Sequence, residues 1–271
     1  MLNIFTQRLR SHDVVFFRLC KMLDMVLVLI DKTSGITSHD AITAVKKTLY
    51  TLPSHTQGQK IKIWHAGTLD PMATGLIIAA TDADTKRLHH LTDLDKVYHT
   101  TIDFSRWSDT RDLDYFAEYG TVDPWRYHTV PTLQEIDHAL TSIHGTPSLP
   151  LTPFSARRYQ GKKLYEHARA GNPISMNVPM TVIGHKIISY DFPLLDVELF
   201  VGMWTYIRSI GHWLGTQFGG DALLSSLRRI RIWEYHIDDI SQHTVLTGSW
   251  DEHEVHFSIY DEQDRSLSKT S

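Results

Sequence analysis

Apolar residues fall along this chain in short unbroken runs, alternating stretches and spaced stripes, and these patterns separate strands from helices. "MVLVLID" (25–31) is a β-rich run that "KTSG" breaks, and "GLIIAAT" (75–81) reads as a buried strand. "KVYHTTIDFS" (96–105) alternates as a half-buried strand does. Val97, His99, Thr101 and Asp103 lie on one side, and Tyr98, Thr100, Ile102 and Phe104 on the other. "TVIGHKIISYDF", "LLDVELFVGM" and "SLRRIRIWEYHI" predict three more strands.

Helical spacing appears in four segments. "SHDAITAVKKTLY" aligns Ala41, Ile42, Val45 and Leu49 on one face, with Ser38 as the expected N-cap. "TLQEIDHALTSI" has a capping-box pair, Thr132 and Glu135, ahead of the stripe Leu133, Ile136, Leu140 and Ile143. "KKLYEHARAG" predicts a short helix that Gly171 ends. "WTYIRSIGHWLGTQF" predicts a helix with Ile207, Ile210, Leu214 and Phe218 inward. "DADTKRLHHL" reads as a helical turn, "SDTRDLDYFAEYG" as an acidic loop and "TPSLPLTPFS" as a proline-interrupted linker. Strands and helices mix without regular βα alternation, which points to an α+β fold with a largely antiparallel sheet.

The length of 271 residues and 42% hydrophobic content suffice for a sizeable core. One cysteine, Cys20, excludes an internal disulfide. The best membrane-span candidate, "VVFFRLCKMLDMVLVLI", is interrupted by Arg18, Lys21 and Asp24, so no span is expected. Residues 1–24 are set apart as an N-terminal extension, either an organellar presequence or a start read too early. Residues 25–240 are expected to form the folded domain, with 241–271 an acidic tail.

The net charge of −4 argues mildly against nucleic-acid binding. Its distribution softens that objection. Residues 238–271 carry eight acids and two bases, so the first 237 residues have a net charge of +2. Basic clusters stand out there, above all "ARRYQGKKLYEHAR" with Arg157, Arg158, Lys162 and Lys163. The 17 histidines invite a metal site, yet His89 and His90 are adjacent and no H-x-x-x-H or C-x-x-C unit exists. No Walker loop, G-x-G-x-x-G or G-x-S-x-G motif is present.

One acidic side chain stands out. In "HAGTLDPMATG" (65–75), Asp70 sits in a turn marked by Gly67 and Pro71 that feeds a hydrophobic strand. Asp before Pro commonly caps a turn. A carboxylate at a rigid, dry loop can instead act as a nucleophile or base if a cation holds it ionised. Arg208, on the otherwise core-facing "TYIR" helix, has the chemistry for a bidentate pair. Tyr98 offers either a core aromatic or a flat surface for a base to stack on.

Six segments together resemble the TruB family of tRNA pseudouridine synthases: "LIDKTSGITSHDAITAVKK", "HAGTLDPMATGLI", "DKVYHT", "PLTPFSARRYQGKKLYEHARAG", "WTYIRSIGHWLG" and "LRRIRI". They run in the family's order from about residue 25 to 240. The resemblance implies a pseudouridine synthase fold, a mixed, mainly antiparallel central sheet flanked by helices and loops. It implies isomerisation of a uridine in the T-arm of tRNA, at position 55, without metal or organic cofactor, and no obligatory protein partner. By this resemblance Asp70 is the catalytic aspartate, Arg208 its ion-pair partner, and Tyr98 stacks on a flipped-out base. His65 sits by the displaced nucleotide and Leu227 lines the base pocket. Tyr206 also contacts substrate, and Arg157, Arg158, Lys162 and Lys163 hold RNA phosphates. A cytoplasmic location is expected, or an organellar one if the extension is a presequence.

The chain departs from the family pattern at Thr33, usually proline, at Ala66, commonly threonine, and at Trp204, usually a small residue. A C-terminal PUA domain is not expected. Three roles stay open to Asp70: attack on sugar C1′, addition to the base at C6, or removal of the C2′ proton. Two rivals also remain, an idle tRNA-binding module using the same cleft, and a small-molecule hydrolase pairing Asp70 with Asp109 or Asp112.

Overall fold

The computed structural model describes residues 27–52, 58, 60–81, 88–113, 119–121, 130–243 and 245–260. The chain forms two compact units, one from residues 1–92 with 235–271 and the other from 93–234. The expected N-terminal extension lies outside the described residues.

The first unit opens with β1 (Leu27–Lys32), then α1 (Ser38–Thr51), β2 (Ile63–Ala66), β3 (Thr74–Thr81) and α2 (Leu88–Thr92). β1 lies between two antiparallel neighbours, and Leu27 through Ile30 are all buried, as an apolar run without alternation requires. The N-cap of α1 differs from expectation. Thr37, not Ser38, caps the helix, because Asp40 stands three residues after Thr37 and closes a capping box with it. Ser38 is thereby left for another task.

The second unit contains β4 (Lys96–Asp103), β5 (Arg106–Ser108), β6 (Tyr119–Thr121), α3 (Leu133–Ser142), β7 (Ser148–Pro150), β8 (Arg158–Tyr159) and β9 (Lys162–Lys163). It continues with α4 (Leu164–Arg169), β10 (Asn177–Pro179), β11 (Val182–Asp191), β12 (Leu194–Val201), α5 (Ile207–Gln217) and β13 (Leu223–Ile232). Its main strands run antiparallel in the order β11–β12–β4–β13. Leu195, Val197, Leu199 and Val201 of β12 are fully buried, the period of two of a strand with one face in the core. Thr132 caps α3 with Glu135 as expected. The supposed linker at 146–155 contributes β7, which pairs with β10.

The chain then returns to the first unit with β14 (Tyr235–His236), a 3-10 helix (Ile237–Gln242), β15 (Val245–Trp250) and β16 (His253–Tyr260). Residues 245–260, expected as part of an acidic tail, form a hairpin instead, and β16 pairs with β1. That gives the first unit the antiparallel order β2–β3–β1–β16–β15. The hairpin packs closely on α1: a Cβ on Gly248 would stand 2.9 Å from the Ala44 carbonyl oxygen. Lys47 Nζ lies 4.4 Å over the Trp250 ring. Val255 and Phe257 are fully buried, and this burial outweighs the acidic composition. Both units are α+β with antiparallel strand pairing, the predicted class.

Candidate active site

Asp70 lies on the connection between β2 and β3, half-buried, in a turn closed by Ala73 N–H donating to the Asp70 carbonyl at 3.1 Å. Pro71 takes the second turn position, where its fixed φ is preorganised. Gly67 enters the connection at φ +83°, which a side chain would resist. The residues around Asp70 are stitched to the segment joining β1 and α1. Leu69 N–H donates to Ser38 Oγ at 2.8 Å, and that hydroxyl bonds the Leu69 carbonyl at 3.2 Å. The Pro71 carbonyl accepts from Gly35 N–H and from Lys32 Nζ, both at 3.0 Å. Ser34 Oγ donates to the Met72 carbonyl at 3.0 Å.

Lys32 is completely buried, and its ammonium also donates to the carbonyls of Thr33 at 2.8 Å and Ile36 at 2.7 Å. A buried cation is tolerable when its donors are met, and here the acceptors are backbone dipoles from two loops. The lysine thus locks the Asp70 turn to the loop after β1. The other face of that loop is closed by the hairpin: a Cβ on Gly35 would come within 2.7 Å of His253 Nε2. Sequence reasoning singled out neither Lys32 nor Ser38 as a functional residue. Their signal was a polar side chain at each edge of an apolar pattern.

Ser38→Ala removes both Leu69 bonds while leaving the Thr37 cap intact. The expected result is a loss of about 1–3 kcal/mol of stability. Hydrogen exchange at the Leu69 amide should accelerate by more than that of the β3 amides. Denaturant titration and exchange measurements read the two effects.

In the second unit, Arg208 is the second residue of α5 and is buried to 6% exposure, which decides against a surface role. Its Nε lies 3.4 Å from Asp112 Oδ2, Nη1 donates to the Thr110 carbonyl at 2.9 Å and Nη2 to the Phe154 carbonyl at 3.3 Å. Asp112, equally buried, accepts from Thr110 Oγ1 at 2.6 Å, while its N–H donates to Ser108 Oγ at 3.1 Å. An arginine forced inward by an apolar helix needs such a carboxylate. Asp112 falls in the stretch 108–120 expected as an acidic loop, and the hydrolase alternative pairs Asp70 with Asp109 or Asp112. The geometry makes it the orienter of Arg208. Arg111, nearby at φ +63°, is pushed down to about 10 by burial and by the Arg208 charge, against the pull of Asp221.

Tyr98 is buried on β4 opposite Arg229 of β13, and Leu227 stands opposite Thr100. Facing cross-strand residues share a side, so Tyr98 and Leu227 lie on one face as diagonal neighbours. Arg229, 1% exposed, donates from Nη1 to the Tyr98 hydroxyl at 3.4 Å. Its guanidinium carbon is 6.0 Å from the ring centroid. Arg229 therefore fixes the ring by both its hydroxyl and its face. Lys96, two residues upstream, is lowered to about 8 by burial and then by the Arg229 charge, opposed by Asp95 and Asp93.

Arg158 and Lys163 pair across the two-residue turn Gln160–Gly161, as do Tyr159 and Lys162. The expected basic cluster is thus a small hairpin that presents Arg157, Arg158 and Lys162 to solvent. Lys163 is half-buried and donates to the Tyr165 hydroxyl at 3.2 Å. His65 is half-buried on β2, opposite Ala79 and on the same β2–β3 unit as Asp70. Tyr206 is the N-cap of α5 and half-buried. Among the described residues, no group of three or more His, Cys, Asp or Glu side chains could hold a metal ion, and no helix is long and apolar enough to cross a membrane.

Comparison with known proteins gives the family. The family described as "TruB family pseudouridylate synthase (N terminal domain)" matches residues 55–207. A protein of Chlamydia pneumoniae named tRNA pseudouridine synthase B is 36% identical over 221 residues, covering 81% of this chain and 88% of that relative. Its namesake from Chlamydia trachomatis serovar L2 is 33% identical over 235 residues, covering 86% and 90%. Among solved structures, a Cbf5–Nop10–Gar1 complex matches with TM-score 0.56 at 20% identity, over 79% of this chain and 51% of that one. An H/ACA RNP bound to a substrate RNA containing 2′-deoxyuridine matches with TM-score 0.54, also at 20% identity, over 79% and 50%. At that identity the likeness speaks for the fold alone. With half the chain inside the family's pattern and relatives covered nearly end to end, the chain belongs to the TruB family of pseudouridylate synthases and is an isomerase.

Proposed function

We propose that this chain isomerises a uridine in the T-arm of tRNA to pseudouridine, with Asp70 as the reacting carboxylate and Arg208 as its ion-pair partner. Relatives named tRNA pseudouridine synthase B support uridine isomerisation in tRNA. The observation that carries the residue assignment is the fixing of the Asp70 turn through Leu69, Pro71 and Met72 by Ser38, Lys32, Gly35 and Ser34. A turn cap needs no such immobilisation, whereas a reacting group needs its angle of approach set in advance.

The reaction breaks the bond between C1′ and N1, turns the base and joins C1′ to C5. The proton on C5 leaves and N1 gains one, so no atom is lost overall. One carboxylate and accurate positioning suffice. In all three roles open to Asp70 the carboxylate must be ionised, and a guanidinium stays charged at any working pH. Asp112 holds Arg208 in orientation and is a positioning residue. The target base must leave its stack, at a cost of a few kcal/mol. Tyr98, held by Arg229, gives the extruded base a surface to stack on and a hydroxyl for proton transfer. Leu227 lines the same face, and His65 fills the space the base vacates. Tyr206 contacts the nucleotide from the start of α5. Recognition of the stem-loop then rests on shape, with phosphates held by Arg157, Arg158, Lys162 and Lys163.

An unmodified tRNA transcript incubated with the protein should gain a single pseudouridine in the T-arm, read by chemical mapping. Modification in another arm would overturn the T-arm assignment. Replacing both Lys162 and Lys163 by Ala should lower the slope of log Kd against log salt by about 1–2. An unchanged slope would mean that the phosphates lie elsewhere.

A further inference from the structure

Two tryptophans stand on left-handed backbone, the region where glycine is at ease and an indole is not: Trp204 at φ +62° and Trp233 at φ +50°. Both are exposed, at 63% and 55%. The fold thus strains its backbone and leaves a large ring in water at two places. The surroundings of the two differ.

Trp204 lies in the connection from β12 to α5, four residues before Arg208. That connection is pinned on both sides of the indole. Gly202 N–H donates to the Thr181 carbonyl at 3.0 Å, and a Cβ on Gly202 would stand 2.8 Å from the Thr181 Cβ. Thr205 Oγ1 accepts from Thr181 N–H at 3.0 Å and donates to the Thr181 carbonyl at 2.9 Å. A flexible loop would fold an indole down onto the protein, but this one holds it out. Val201, where β12 ends, is registered with Lys96, two residues from Tyr98. The eleven-residue α5 starts just beyond, and a helix start carries partial positive charge.

We propose that Trp204 is a base-stacking contact for the substrate RNA, outside the pocket that takes the reacting uridine. This rests on the reading of the chain as an RNA-modifying isomerase. An exposed flat ring suits a nucleobase, which offers a π-face whatever its identity. A protein partner calls for a contiguous apolar patch, and the indole's chain neighbours Met203 and Thr205 are half-buried. Trp233 serves as the matched comparison. It follows β13, its N–H donates to the Asp95 carbonyl at 2.8 Å, and exposed Asp95 and Glu234 flank it.

The test compares Trp204→Gly, Trp204→Phe and Trp233→Gly in the full chain with an unmodified T-arm stem-loop. Glycine relieves the φ strain at either position, so neither glycine variant should melt below the parent protein. Trp204→Gly should raise KM and the Kd from fluorescence anisotropy by roughly 5- to 100-fold, with kcat held within about two-fold, the effect of removing one stack. The salt slope should not change, because no phosphate contact is lost. Trp204→Phe should recover most of the affinity, and Trp233→Gly should bind as the parent does. An unchanged KM and Kd for Trp204→Gly, or an equal loss in Trp233→Gly, would overturn the proposal. If the parent protein converts the RNA while Trp204→Gly matches it, the stacking role alone falls. If the parent neither binds nor converts, the reading beneath it falls as well.

Discussion

Asp70→Asn is expected to reduce pseudouridine formation by at least about 10,000-fold, the scale on which loss of a reacting group acts. The substitution replaces one oxygen by an NH2 group of nearly the same size. It leaves in place the turn bonds that run through the Asp70 and Pro71 carbonyls, the Leu69 main chain and the Ser38 hydroxyl. The variant should therefore fold like the parent and bind T-arm RNA with a Kd within about two-fold, because affinity comes from phosphate and stacking contacts. A neutral amide can neither attack a carbon nor accept a proton, so all three chemical roles fail together. Single-turnover conversion with excess enzyme separates the lost step from any change in binding. A variant with a tenth or more of the parent rate would remove Asp70 from the chemistry.

Arg208→Lys is the second large effect. Lysine keeps the charge and loses the planar fork. The guanidinium reaches Asp112, the Thr110 carbonyl and the Phe154 carbonyl from three separate nitrogens, which a single ammonium cannot reproduce. Asp112 is 2% exposed, and a buried carboxylate stripped of its partner costs about 3–5 kcal/mol. Stability should drop, and kcat/KM should fall by about 100-fold or more, mostly through kcat, because the cation no longer stands at a fixed place. Asp112→Asn gives the control. It keeps Arg208 charged but loosens its hold, so kcat should fall by less than in Arg208→Lys. Normal kcat in Arg208→Lys at a temperature where the variant is folded would show that any cation suffices.

Local patterns made much of this fold legible, and long-range pairing hid the rest. Unbroken apolar runs revealed β1 and β3, alternation revealed β4, and the Thr132–Glu135 spacing marked the start of α3. Two caps competed at the start of α1, and Asp40 decided for Thr37. The C-terminal hairpin was masked by its acids, although "HEVHFSIY" alternates and buries Val255 and Phe257. Its pairing with β1 joins residues more than 200 positions apart, which no local window contains. Asp70 and Arg208 could be singled out because each breaks an apolar context. Lys32, Asp112 and Arg229 act by supporting other residues, so their roles show only when the chain is folded.

In the proposed reaction the carboxylate of Asp70 carries out uridine isomerisation on a T-arm hairpin. Its most direct test is release of tritium from a T-arm stem-loop labelled at C5 of its uridines, with enzyme in excess over RNA. The parent protein should release the label of one uridine per hairpin, and Asp70→Asn, loaded with RNA to the same extent, should release none above background. Equal release from both proteins, or firm binding by the parent with no release at all, would contradict it.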